Sequence, residues 1–154
     1  MYAEKLPPHD VDAEEAVVAS LLIDGEAINR VIPLIKPDDF FRERNRWCYD
    51  ACRALYERGD AINQVTVTHE LSVRERLDDI GGPASLSHLI ATVPTSVHAE
   101  HYARIVNRTA TLRRLIQAAG DIANIGYSGT PDIEAALAQA EDAIGDIHPT
   151  SITV

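Results

Sequence analysis

The chain is short of aromatics, glycine, cysteine and lysine, and each shortage removes a class of answer. Only 5% of its 154 residues are aromatic and eight are glycine, too little of either for an all-β domain. Two cysteines cannot staple a disulfide scaffold. The two lysines, Lys5 and Lys36, do not follow glycine, so no Gly-x-x-x-x-Gly-Lys-Ser/Thr phosphate loop exists. A nucleophile elbow and a Gly-x-Gly-x-x-Gly turn are missing as well, which leaves no catalytic or cofactor-binding residue to nominate. No apolar run approaches the roughly 18 residues of a membrane span, and Met1 to Asp10 lacks an apolar signal core. The expected location is cytoplasmic, away from the membrane. Positive charge is scarce too: 14 basic against 24 acidic residues give a net charge of −10. An acidic surface repels phosphate, so direct DNA binding is not expected.

What is present is helical periodicity. After the extended Leu6-Pro7-Pro8, Asp10 or Asp12 can cap a helix running to Ile23, with Glu14 and Glu15 in its first turn. A second helix is expected over residues 26–35, with Ala27, Ile28, Val31, Ile32 and Ile35 on one face. Pro37-Asp38-Asp39-Phe40-Phe41 reads as a turn with two apolar anchors. The third helix covers residues 44–58 and buries Trp47, Cys48, Ala51, Leu55 and Tyr56. Thr66 is the expected cap of a short helix over residues 67–71. Gly81-Gly82-Pro83 is a firm break, and residues 84–92 form another short helix.

The last third differs. Over residues 97–125 the positions Tyr102, Ile105, Thr109, Leu112, Ile116, Ala119 and Ala123 alternate spacings of three and four, a heptad seam. A connection ending in Thr130 (a cap) and Pro131 (first helical position) leads to a final helix up to Ile147. Its seam is Ile133, Leu137, Ala140, Ile144 and Ile147. Two helices joined so closely must lie antiparallel. The fold expected is therefore all-α: a globular multi-helix head over residues 1–94, a long antiparallel helical hairpin over 95–148, and the start of a linker over 149–154. Arg104, Arg108, Arg113 and Arg114 on the first arm are expected to face Glu134, Glu141, Asp142 and Asp146 on the second. Val106, Leu115, Ile122 and Ile125 fall off the seam, and two helices cannot cover so much apolar surface. Self-association or a partner is expected there.

Other constellations read as structure. His98 and His101 stand three apart, unlike the i, i+4 pair of a zinc helix, so no metal site is expected. Cys48 and Cys52 read as small buried hydrophobes. Arg42, Arg44, Arg46, Arg53 and Arg58 are interleaved with Glu43, Asp50 and Glu57, a mixed-charge solvated face. The carboxylate pairs Asp38-Asp39 and Asp78-Asp79 point apart and suit capping and loop solvation.

The order of segments carries a resemblance. Leu6-Pro7-Pro8, Ala13-Glu14-Glu15-Ala16-Val17 and Ser20-Leu21-Leu22-Ile23-Asp24 come first. Pro37-Asp38-Asp39-Phe40-Phe41, Asn45-Arg46 and Ala54-Leu55-Tyr56-Glu57-Arg58-Gly59 follow. Val65-Thr66-Val67, Ile80-Gly81-Gly82, Tyr102-Ala103-Arg104-Ile105-Val106 and Arg113-Arg114-Leu115-Ile116 complete the series. In this order the chain resembles the N-terminal domain of bacterial replicative DNA helicases of the DnaB family. The family differs in having glycine at Ala19, His-Arg at Asn45-Arg46 and Phe-Tyr at Phe40-Phe41.

The resemblance implies a helical head and hairpin whose hairpins pair between subunits, three dimers forming a collar on a hexamer. It implies docking of the primase C-terminal domain, with a helicase loader as a further candidate. ATP and magnesium belong to a RecA-like motor domain expected to follow the linker. Dimer contacts are expected at Ile105, Leu112, Leu115, Ile116, Ile122, Ile133, Leu137 and Ile144. Two other readings stay open on the residues alone: a stand-alone helical adaptor or regulator of a helicase, and a small metalloenzyme using His98 and His101.

Overall fold

Nine residues of the first helix are buried, more than one stripe could hold: α1 (Val11–Ile23) buries Ala13, Glu14, and everything from Ala16 to Leu22. A helix apolar nearly all round belongs in the middle of a core. The computed structural model describes residues 6–147 and packs α3, α5 and α6 about α1. Asp10 supplies the cap, accepting the Ala13 N–H at 2.9 Å.

The second helix is shorter than its periodicity suggests. A 3-10 turn at Gly25–Ala27 leads into α2 (Ile28–Val31). Pro33 has no N–H for the next helical bond and crowds the preceding turn. Leu34 and Ile35 nevertheless stay buried, their N–H groups bonded to the Val31 carbonyl at 2.9 and 3.2 Å. Helix α3 (Glu43–Glu57) buries Cys48, Tyr49, Ala51, Cys52 and Leu55. Tyr49 holds the interior place expected for Tyr56, which is exposed. The Tyr49 hydroxyl donates to the Ile35 carbonyl at 2.9 Å, and its ring lies 4.9 Å from that of Phe40.

Helix α4 (Gln64–Val73) starts earlier than expected. Its cap is Asn63, not Thr66. Asn63 accepts the Thr66 N–H and Thr66 accepts the Asn63 N–H, both at 3.0 Å, a reciprocal box that uses threonine three residues into the helix. Gly82 at φ +77° delivers the chain to Pro83, the first residue of α5 (Pro83–Thr92).

Helix α6 (Ala99–Tyr127) serves two bodies. Ala99, Ala103, Val106, Asn107 and Ala110 are buried against the head, and Asn107 donates to the Leu34 carbonyl at 2.8 Å. Packing therefore does not break at Pro94: the first half of the hairpin's long arm is part of the head's core. The second half projects and carries α7 (Ile133–Gly145). Asp132 caps α7, accepting the Ala135 N–H at 3.1 Å, while Thr130 accepts the Asp132 N–H at 3.2 Å. The cap thus sits two residues later than expected: the Thr130 hydroxyl is engaged with the Asp132 N–H, the Asp132 carboxylate takes the first-turn N–H, and Pro131 lies just outside the helix. The expected linker, residues 149–154, and His148 lie outside the described residues.

Candidate interaction surface

The hairpin's two arms meet along small residues. On α7 the partly covered positions are Ala136, Ala140 and Ala143, with Ile147 just past its end, and the element that α7 packs on is α6. On α6 the corresponding covered positions are Ala118, Ile122 and Ile125. This differs from the expected seam. Ile122 and Ile125, expected to stay wet, face the other arm, and Val106 is buried in the head. Alanine allows close approach of the two axes, and the larger Ile and Leu side chains lie to one side.

Those larger side chains define the candidate surface. Leu112, Leu115, Ile116, Ile133, Leu137 and Ile144 are 42–62% exposed. At 3.6 residues per turn, Ile133, Leu137 and Ile144 sit about 70° around α7 from its alanine side. Leu112 and Ile116 sit about 130° around α6 from the Ala118–Ile122–Ile125 side, with Leu115 between. In an antiparallel pair both rotations lead to the same flank. The small exposed residues Ala119, Ala123 and Gly126 lie there too. The opposite flank carries Gln117, Asp121 and Asn124 on α6, with Gln139 and Asp142 on α7 and Asp146 at its C-terminal cap, all exposed. That polar flank continues the face by which α6 packs on the head. The apolar flank therefore points away from the head and is open. Of the other two nominated contacts, Ile105 packs partly against the core, and Ile122 faces the arm.

The expected charge pairing between arms is not what the arginines do. Among the described residues no ion pair joins α6 to α7. Arg104 pairs with Glu100 on its own helix at 3.3 Å. Arg113 donates to the Pro8 carbonyl at 2.8 Å and to the Asp39 carbonyl at 2.7 Å. Its guanidinium also lies 5.4 Å from the centre of the Phe41 ring, against which His9 stacks at 4.4 Å. Burial holds the Arg113 pKa below its usual value. Arg114 is ion-paired with the carboxylate of Asp39, which is fully buried. Both arginines thus grip the head at the point where α6 leaves it. Sequence periodicity gives no sign of this: the acceptors of Arg113 are main-chain carbonyls, which no residue identity signals, and the Asp39 carboxylate that takes Arg114 lies 75 residues away.

A second buried carboxylate was equally hidden. Glu14 accepts the Phe41 N–H at 2.7 Å, the Arg42 N–H at 3.2 Å and the Asn45 amide at 3.1 Å. It ties α1 to the start of α3.

The remaining candidates stay structural. Burial pushes the Cys48 thiol up to about 12 and the Cys52 thiol higher still, so neither is a nucleophile at neutral pH. His101 is exposed with its ring edge-on to Tyr102. Among the described residues no group of three or more His, Cys, Asp or Glu is placed to hold a metal ion. No described helix is long and apolar enough to cross a membrane. In the basic cluster, Arg42 faces Glu15 at 3.7 Å, Arg53 faces Glu57 at 3.4 Å, and Arg58 faces Glu70 at 2.7 Å.

Comparison with known proteins agrees with this architecture. The family model described as DnaB-like helicase N terminal domain matches residues 6–108. The replicative DNA helicase DnaB of Geobacillus stearothermophilus is 36% identical over 147 residues, covering 96% of this chain and 32% of the relative. DnaB of Mycobacterium leprae is 38% identical over 143 residues, covering 92% of this chain and 24% of the relative. The chain thus spans about a third or less of these relatives' length. The crystal structure of the N-terminal domain of DnaB helicase from Mycobacterium tuberculosis superposes with a TM-score of 0.88 at 38% identity, covering 93% of this chain and 100% of that one. A DnaB-like replicative helicase described with its interactions with primase shares the fold, at a TM-score of 0.76 and 21% identity, covering 94% of this chain and 33% of that one. The sequence match and the helical head with its hairpin lead to one assignment: the chain belongs to the family of DnaB-like helicase N-terminal domains.

Proposed function

We propose that this chain is the N-terminal assembly and primase-docking domain of an ATP-dependent hexameric replicative helicase that unwinds duplex DNA at the bacterial replication fork. The observation that carries the reading is the open apolar flank of the hairpin. Six large aliphatic side chains there are exposed on a single chain, a cost in water that pairing with another copy removes. Leu112, Leu115, Ile116, Ile133, Leu137 and Ile144 are the proposed contacts, with Ile105 and Ile122 at the edges. A two-fold pairing of hairpins leaves the heads outermost, free to build a trimer of dimers.

In this reading residues 95–148 supply most of the assembly surface, and the head over residues 1–94, whose core the first half of α6 completes, presents surface to other proteins. Primase is the proposed external partner, supported by the shared fold of the helicase described with primase; a helicase loader is a second one. ATP and magnesium act in a motor domain beyond this chain, which itself neither hydrolyses ATP nor grips DNA. The setting is the cytoplasmic replisome.

Light scattering across a concentration series tests assembly: a rise from monomer to dimer mass is expected, and a strict monomer at millimolar protein overturns it. Titration with the cognate primase C-terminal domain tests docking: saturable binding is expected, and no binding removes that part. An ATPase assay of this chain is expected to read background.

A further inference from the structure

A groove of about 430 Å³ lies on the head where α1, α5 and α6 meet. Asp10, Asp12 and Glu15 form its acidic rim, and Val93, Tyr102 and Ile105 its apolar side. Asp10 is engaged as the α1 cap and Glu15 faces Arg42. Asp12 has no partner among the described residues. Tyr102 and Ile105 lie on the same side of α6 as Leu112 and Ile116, so the groove is the headward end of the apolar flank. At the other end, at the hairpin tip, stands Tyr127, 90% exposed.

The two ends are about 37 Å apart along α6 at 1.5 Å per residue, and Leu112 and Leu115 lie near the midpoint. A two-fold axis crossing α6 between Leu112 and Leu115 lays a second copy antiparallel on the first. It carries each copy's tip to the level of the other's groove. The same register brings Glu141 of the second copy within about one turn of Arg108. Neither has an ionic partner among the described residues of a single chain, so the charges complement one another. An isologous contact makes each of these pairings twice.

We propose that the groove between α1, α5 and α6 is the seat for Tyr127 of a second copy, the ring against Val93, Tyr102 and Ile105 and the hydroxyl donating to Asp12. A tyrosine suits the place, offering a rigid apolar body and a polar tip. The proposal rests on the hairpin flank being the self-association surface and adds its register and its anchor.

The experiment replaces Tyr127 with photoreactive p-benzoylphenylalanine and maps the cross-links by mass spectrometry. Adducts from position 127 to residues 10–16 or 92–105 of a second copy are expected. Adducts elsewhere, or only within one chain, overturn the proposal. In parallel, Tyr127→Ala is expected to raise the dimer Kd about tenfold or more, with unchanged helical circular dichroism because the side chain is solvent-exposed in one copy. Tyr127→Phe and Asp12→Asn are each expected to weaken the dimer, and their combination no further than either alone. If the unaltered chain dimerises, Leu137→Asp abolishes the dimer and Tyr127→Ala leaves Kd unchanged, the seat is overturned while the assembly reading stands. A strictly monomeric unaltered chain overturns both.

Discussion

Arg114, midway along α6, is ion-paired with Asp39, whose carboxylate is wholly buried in the turn after α2. The same carboxylate accepts the Lys36 N–H at 2.9 Å, and the Asp39 carbonyl accepts Arg113. One residue thus closes its own turn and anchors the hairpin's long arm. Asp39→Ala is expected to lower unfolding free energy by about 2–3 kcal/mol, below the range for a fully buried pair because Arg114 keeps contact with water. Urea denaturation followed by circular dichroism measures it. A loss under half a kcal/mol would mean the clamp contributes nothing.

Glu14 makes a comparable prediction by a different route. Glu14→Ala leaves the Phe41 and Arg42 N–H groups and the Asn45 amide without their acceptor, and the expected cost is about 3–4 kcal/mol. Glu14→Gln keeps one carbonyl acceptor and should cost less. Equal losses from both variants would show that charge, not hydrogen bonding, carries the effect.

How far these features were legible depends on what kind of signal each sends. Helix order and the break at Gly81-Gly82-Pro83 follow from apolar spacing and from residues that act locally. The Asp10 cap is of this kind, since a cap touches only its own first turn. Asn63 was overlooked because Thr66, an equally good capping type, is its reciprocal partner inside the helix. The hairpin seam failed for a subtler reason. Its strongest heptad, Leu112, Ile116, Ile133, Leu137 and Ile144, is real, but it belongs to a face left open by the fold. The true arm-to-arm face is mostly alanine, which carries little weight in a hydrophobic pattern. Glu14 and Asp39 look in the sequence like ordinary first-turn and loop acids, because the groups that hold them, the Phe41 and Arg42 N–H groups and the Asn45 amide for Glu14 and the Arg114 guanidinium for Asp39, come from segments 27 to 75 residues away.

Acid sensitivity should localise to Glu70. Arg58 and Arg74, bonding its two oxygens at 2.7 and 2.8 Å, hold its pKa down to about 2 from the usual 4.5. A depressed folded pKa contributes stability that is complete above the unfolded value and is lost as pH falls toward the folded one. The stability loss from pH 5 to 2 should therefore be smaller in Glu70→Gln, by about 1 kcal/mol given the solvent screening of the two arginines. At pH 7 the variant should be less stable by a similar amount. Chemical denaturation across that pH window measures both, and parallel pH profiles would count against the network.

The exposed and covered sides of α7 can be separated by two aspartates. Leu137 lies on the open flank and Ala143 on the side against α6. Leu137→Asp should change the monomer's stability by no more than about 0.5 kcal/mol, as surface substitutions do. It should nevertheless abolish self-association, because a carboxylate buried without a partner between two copies is strongly unfavourable. Ala143→Asp should do the reverse within one chain: it drives a charge between the arms, costs about 2–3 kcal/mol of hairpin packing, and exposes α7 to protease. The head should keep its tertiary signal, since α1, α3, α4 and α5 do not rest on α7. Trypsin cannot report the opening because α7 contains no lysine or arginine; a protease cutting after glutamate, with sites at Glu134 and Glu141, can. Rapid cleavage of Leu137→Asp and protection of Ala143→Asp would mean the two sides of α7 have been assigned the wrong way round.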